Sequence, residues 1–410
     1  MPALSQWVRM DIDSVFVTSF ANNGDKLFAG TAVFTGVYLS NDHGTRWAQS
    51  NNGMVWGLQA PPVIDMIITP SPHGDETIFA GGYGGIYFST CNETSWTNVS
   101  TGLTHHDVYA LTSSLDDSGR VNVFAATADG LGQAICRTTD GGTTWTDVTN
   151  EVSDSCYSST CWVRELLTYG GRIFAGTTGE GVFLSTNNGA NWYPANIGLG
   201  HVQVTAFAVS GSDIFVAAYG SGVFRSTNNA ENWVNVNDHL TGVLALTSSG
   251  IYLFAGLEGG GVFVSSNSGT SWMSVNDGLG SKTVWALTVF DSYLFAGDTR
   301  SGVWRRPMAE MVTSVQTTSS DLPAHFSLDQ NYPNPFNPTT TISFEIPFKS
   351  FVSLRVFDTF GRQIFVLVSE SLDPGTYRQR WNASGLASGI YFYRLQASGF
   401  TTTKKFVLLR

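Results

Sequence analysis

Seven times along this chain a Phe-Ala-Gly tripeptide or a near copy recurs, at Phe28, Phe79, Phe124, Phe174, Phe215, Phe254 and Phe295. Repetition at that period constrains the fold more than any other feature, because each unit is one small piece of structure that must bury its apolar face on a neighbour. Each copy is soon followed by a Gly-Val-Phe-like triplet ending in Tyr38, Tyr87, Cys136, Phe183, Phe224, Phe263 or Trp304. Two short strands joined by a Gly-rich loop fit this pattern.

Six copies continue into a turn of the form S-x-D-x-G-x-x-W or a variant of it. The turns carry Asp42 and Trp47, then Trp96 alone, Asp140 and Trp145, Asn187 and Trp192, Asn228 and Trp233, and Asn267 and Trp272. Asp or Asn at the third position can accept from its own backbone, and Gly two residues later permits positive φ, so this is hairpin chemistry. The Trp opens a further short strand and is expected to be buried. In the second copy Cys91 and Glu93 replace Asp and Gly.

The seventh copy reaches Arg306-Pro307-Met308 with neither turn nor Trp. The missing piece stands at the other end: Trp7-Val8-Arg9-Met10 reads like Trp233-Val234-Asn235-Val236, and Trp7 precedes Phe28 by the same interval as Trp233 precedes Phe254. The first strand is therefore expected to complete the last repeat, closing a ring that has no free edges. A further strand before each Phe-Ala-Gly, such as Val243-Leu244-Ala245-Leu246, makes four per unit. The expectation is an all-β chain: a seven-bladed β-propeller over 1–308, a Thr/Ser-rich linker over 309–327, and a small Ig-like β-sandwich over 328–410.

Composition agrees. With 44 Gly, 27 Phe and 12 Trp but only 13% charged residues, disorder, coiled coil and collagen are excluded. No apolar run reaches the roughly 18 residues of a membrane helix, so no membrane span is expected. Residues 1–321 hold 12 Lys/Arg against 27 Asp/Glu, while 322–410 hold 9 against 5. An acidic main body argues against nucleic acid as partner.

The repeated turns resemble the Asp-box repeats of sialidase, sortilin and photosystem II assembly-factor propellers and of xyloglucan-hydrolysing endoglucanases. In those families the box is a structural turn on the outer blade hairpin, away from the central cleft. The C-terminal segment resembles the sorting domain of type IX secretion cargo in Bacteroidetes and Chlorobi-like bacteria. The matching pieces are Asn331-Tyr332-Pro333-Asn334-Pro335-Phe336-Asn337-Pro338, Val356-Phe357-Asp358 with Gly361-Arg362, Leu386 to Leu395, and Lys404 to Leu409. That resemblance implies engagement with the type IX machinery and passage through the periplasm and outer membrane to the cell surface or beyond. Residues 1–6 have neither the basic segment nor the apolar core of a signal peptide, so the start is expected to be processed or short of the natural one. Cys156 and Cys161 share one loop and could form a disulfide, whereas Cys91 and Cys136 fall in adjacent units.

Catalytic signals are sparse. The arginine cluster and Arg-Ile-Pro segment of a sialidase are missing. A glycoside hydrolase or lyase acting on polysaccharide needs two facing carboxylates. Loop acids Asp129, Glu180, Glu258 and Asp298 are the candidates, with Glu180 and Glu258 in matching loops of the fourth and sixth units; the plain reading is solvated loop acids. His105-His106 lacks ligand-spaced partners, and no metal, cofactor or phosphate-loop motif is found. Tyr83, Tyr219, Trp56 and Arg300 fall in loops expected at one mouth, where aromatics can stack on sugar rings or grip a protein segment. The leading expectation is an exported, non-enzymatic propeller that binds protein or glycan, with the hydrolase or lyase as its rival.

Overall fold

The structure, a computed structural model, describes residues 6–12, 15–70, 76–91, 95–116, 118–129, 132–150, 152, 161–237, 239–312, 326–348, 350–372, 375–383, 385–398 and 400–409. The chain divides into two compact units, Met1–Val312 and Thr313–Arg410.

The first unit is built of four-stranded antiparallel sheets. Among the described residues seven follow one another, over 17–49, 63–98, 107–147, 163–194, 204–237, 243–274 and 284–307, the last joined by Val8–Arg9. Among the described residues no sheet closes on itself. The first strand of every sheet carries a β-bulge near its start, between Val17 and Ser19, Val63 and Asp65, Val108 and Ala110, Val163 and Glu165, Val204 and Ala206, Val243 and Ala245, and Val284 and Ala286.

The repeat is explained by packing between sheets. Every Phe of the tripeptide is almost wholly buried, worth about 1.5–3 kcal/mol each against exposure. The Gly is required by the approach of the next sheet: a Cβ on Gly81 would lie 2.5 Å from Val108, on Gly176 2.4 Å from Val204, and on Gly256 2.7 Å from Val284. The same relation joins the seventh sheet to the first, where a Cβ on Gly297 would lie 2.6 Å from Val17. Apolar clusters accordingly sit between successive sheets, and one unites Ala286, Phe290 and Phe295 with Val17, Leu27 and Tyr38.

The repeated turns form as their residues dictate. Asp42 Oδ1 accepts from Arg46 N at 2.8 Å and from Ser40 Oγ at 2.9 Å, while Ser40 Oγ accepts from Gly44 N at 2.9 Å. Asp140, Asn187, Asn228 and Asn267 repeat the scheme with Thr144 N, Asn191 N, Asn232 N and Ser271 N. The indole N–H of Trp96, Trp145, Trp192 and Trp233 donates to Ser50 O, Val99 O, Val148 O and Ala195 O of the preceding sheet. Trp47 and Trp272 depart from the expected burial. They are half-buried, and each donates to its own turn, at Gly44 O and Gly269 O.

Trp7 behaves like the four buried indoles. Its Nε1 donates to Val275 O at 2.5 Å and its backbone N to Asp277 O at 2.8 Å, as Trp233 N donates to Ile197 O. Val8 and Arg9 then pair with Arg305 and Trp304. A short helix, Met308–Val312, buries Met311 in the cluster that holds Trp7 and Trp304.

In the second unit a three-stranded sheet (Ser327–Leu328, Thr339–Ile346, Gly375–Asn382) and a four-stranded sheet (Gln363–Leu372, Ser350–Phe357, Gly389–Ala397, Phe400–Leu408) share one apolar core. The Asn331 to Pro338 segment ties the two ends together. Asn331 N donates to Tyr393 Oη at 2.8 Å, Val407 N to Asn334 Oδ1 at 2.9 Å, and Phe336 packs edge-on to Phe406. Burial pushes the Tyr393 hydroxyl up to about 12. Asp358 accepts from Arg362 N and Phe360 N and pairs with the Arg362 guanidinium, which accounts for the Asp and Arg of that motif.

Candidate functional site

The loops joining second to third strands lie beside the entry to the first strands. Tyr83 N donates to Pro62 O, Tyr219 N to Gln203 O and Glu258 N to Gly242 O, so both sets of residues gather at one end of the sheets.

At this end the structure joins two sequence candidates and separates others. Tyr219 Oη donates to Glu258 Oε2 across adjacent sheets. That bond, with the carboxylate's charge, raises the phenol's proton affinity. Glu180 pairs instead with His201 Nδ1 at 2.6 Å, and no hydrogen bond or ion pair joins it to Glu258 among the described residues. Asp129 Oδ2 lies 2.9 Å from His105 Nδ1. Asp298 is not a loop acid free for chemistry. Wholly buried, it accepts from Arg300 N at 2.8 Å and Trp304 Nε1 at 2.8 Å and so shapes its own turn. Arg300 follows it, exposed at the rim.

Trp56 stacks on Phe34 with ring centroids 5.4 Å apart, and both rings remain more than 40% exposed. Phe34 is held at φ +42°, a region bulky side chains avoid, in the loop after the second strand. Together with Met54, Val55 and Leu58 the Phe34 ring borders a depression of about 550 Å³. Tyr83, in the matching loop of the second sheet, is about one-third exposed.

Several residues here were not singled out by sequence reasoning: Phe34, Asp65, Arg164, Glu165 and Trp285. For the two acids a signal existed. Aligned on the bulge, the position after it reads Ser19, Asp65, Ala110, Glu165, Ala206, Ala245 and Ala286, so the acids stand out against small residues. Burial raises Asp65 to about 6 against the opposing pull of the Leu111 and Met66 N–H groups. Burial, and then the charge of Asp65, raise Glu165 well above the carboxylate range.

Among the described residues no group of three or more His, Cys, Asp or Glu side chains is placed to hold a metal ion. Cys91 and Cys136 are buried free thiols whose proton affinity is raised by burial. Cys161 is disulfide-bonded, and Cys156 lies outside the described residues, as does Glu93. No described helix is long and apolar enough to cross a membrane.

Residues 330–409 match the family described as the secretion system C-terminal sorting domain. That match indicates secretion or surface location through the type IX system, and engagement with its machinery. No curated protein matches the chain in sequence. Among solved structures, PorZ of Porphyromonas gingivalis, a bacterial surface component of the type IX secretion system, is similar over 97% of this chain, with 17% identity and a TM-score of 0.54. The chain spans 60% of the PorZ chain. YCF48 bound to D1 peptide covers 74% of this chain and 97% of its own, with 14% identity and a TM-score of 0.56. Virginiamycin B lyase of Staphylococcus aureus covers 74% and 98%, with 11% identity and a TM-score of 0.57. At such identities the likeness carries the fold alone, an all-β arrangement of propeller-like four-stranded sheets.

Proposed function

We propose that the first unit is a seven-bladed propeller of the Asp-box type, closed by the Val8–Arg9 strand, and that it works outside the cell as a non-enzymatic binding module for protein or glycan. The pairing of Val8 with Arg305, and the seating of Trp7 on the sixth sheet, support closure. The domain limits that follow are 1–308 for the propeller and 328–410 for the sorting unit, joined by a linker.

The observation that carries the binding reading is the exposed Phe34–Trp56 stack, on the same end as Tyr83 and Tyr219. Aromatic surface left in water beside a depression gains free energy only when a partner covers it. YCF48, of similar fold, has been seen with a peptide bound. Glu180 and Glu258 bond to His201 and Tyr219 rather than facing one another, which favours binding over hydrolysis.

The test is capture of glycans and envelope proteins by the purified chain and by its Trp56→Ala and Tyr219→Ala variants. Loss of a captured ligand in these variants is expected. Turnover of a polysaccharide that Glu180→Gln or Glu258→Gln abolishes would refute the non-enzymatic reading.

A further inference from the structure

The loop between the second and third strands of the first sheet holds a bulky residue at a strained backbone angle. Phe34 lies at φ +42°, in the left-handed region, and remains 46% exposed, so burial offsets little of the cost. Its neighbours hold the strain in place. Asn51 Nδ2 donates to Thr35 O at 2.7 Å, Asn51 Oδ1 accepts from Val37 N at 2.8 Å, and the Thr31 and Thr35 hydroxyls bond at 2.7 Å. The Phe34 ring is thereby laid on Trp56, with 11° between the planes. Trp56 in turn lies over Gly84 of the second sheet, where a Cβ would come within 2.8 Å of the indole. Beside the two rings, Gln49, Asn51 and Gln59 border the depression already described. The segments that build it, 31–41 and 47–64, hold no Asp, Glu, Lys, Arg or His, although residues 1–321 carry 27 Asp/Glu.

We propose that this platform binds the apolar face of a neutral saccharide, with the bordering amides taking its hydroxyl groups. The inference rests on the binding reading above and narrows it to one class of ligand. Strained residues gather at ligand clamps and persist only where their surroundings over-determine them, as Asn51 and Thr31 do here. Two rings 11° from parallel present a flat apolar surface that the C–H face of a pyranose can cover. A carboxamide donates and accepts at once, as a sugar hydroxyl does. The side-chain amide of Gln59 and the Trp56 indole N–H make no hydrogen bond among the described residues, and both border the platform. A charged ligand would lose hydration here without meeting an opposite charge, which disfavours acidic and basic peptides and charged polysaccharides alike. An apolar extended peptide is read through pockets for alternate side chains, whereas the stack is flat.

The experiment is calorimetric titration of the full chain with cellohexaose, mannohexaose and laminarihexaose, and with oligogalacturonate as the charged counterpart. At least one neutral hexaose binds, with an affinity that about 0.5 M sodium chloride leaves unchanged, and oligogalacturonate does not. Trp56→Ala and Phe34→Asn each weaken that binding on the order of tenfold or more, and the surface substitution Glu231→Gln leaves it as it was. Asparagine tolerates the left-handed region, so Phe34→Asn keeps its thermal midpoint within about 3 °C of the parent's. A larger fall would make Phe34 a residue of the fold and overturn the inference. Circular dichroism establishes that each variant is folded, and Phe34→Asn carries the decision if Trp56→Ala is not. No hexaose binding at millimolar concentration overturns the inference, as does binding that Phe34→Asn leaves intact, binding that salt abolishes, or tighter binding of oligogalacturonate. If the hexaoses fail while a captured protein still depends on Trp56 and Tyr219, the binding module stands and only the saccharide falls. If no ligand depends on them, both readings fall.

Discussion

Replacing Glu165 by glutamine keeps the shape of the side chain and removes one of two like charges, so its effect on stability must depend on pH in a fixed direction. Asp65 and Glu165 both hold their protons more tightly in the folded chain than in the unfolded one. Stability from such groups is fully present below the ordinary carboxylate range and is lost as pH rises through the raised value. For Asp65, raised from 3.8 to about 6, the loss amounts to about 3 kcal/mol by pH 8, and Glu165 adds to it. In Glu165→Gln only the Asp65 part remains. The variant should therefore match the parent near pH 4.5 and exceed it at pH 8. Urea unfolding followed by tryptophan fluorescence, in steps from pH 4.5 to 8, reads the difference as a shift in midpoint. Acids held low in the fold, such as Asp42, kept down chiefly by the Arg46 N–H, titrate below this window. A variant whose midpoint follows the parent's at every pH, or falls below it at pH 8, would show that the two carboxylates do not share one poorly solvated place.

Trp7→Ala and Trp233→Ala should each lower stability by about 3–5 kcal/mol; an unchanged urea midpoint for Trp7→Ala would detach Trp7 from the sixth and seventh sheets. Gly198→Ala puts a Cβ 2.1 Å from Trp233 O at φ +82°, whereas Gly211→Ala, at φ +63°, meets nothing within 4 Å. Thermal melts should therefore show the first to be far more damaging, the second costing only about 1–2 kcal/mol for its backbone. Tyr393→Phe removes the hydroxyl that joins Asn331 N and Asp329 O. It should cost the second unit about 2 kcal/mol and reduce the amount of chain reaching the culture medium or cell surface; undiminished export would separate that hydroxyl from sorting.

What was legible in the sequence was local. The turn around Asp42 is made by residues within a few positions of one another, so its spacing could be read directly, and the tripeptide Phe and Gly record packing that each unit repeats. Trp7 was legible too, because its neighbours copy those of Trp233. The fates of Trp47 and Trp272 were not, since their spacing is identical to that of the buried indoles and yet each donates to its own turn. Asp298 read as a loop acid until its partners, Arg300 N and Trp304 Nε1, were seen around it. Asp65 and Glu165 lie 100 residues apart, and only the common bulge, a two-residue register feature, brings their positions into correspondence.

Because Val8 lies against Arg305, the two extremities of the first unit are neighbours. A gene for the first unit rearranged so that a short bridge links residues 312 and 6, with fresh ends opened at the solvent-facing hairpin near Gly211, would encode the same contacts in a different order. Such a circular permutant should retain the parent's fluorescence and ligand profile, and it would allow a fusion partner to be attached at a point of choice.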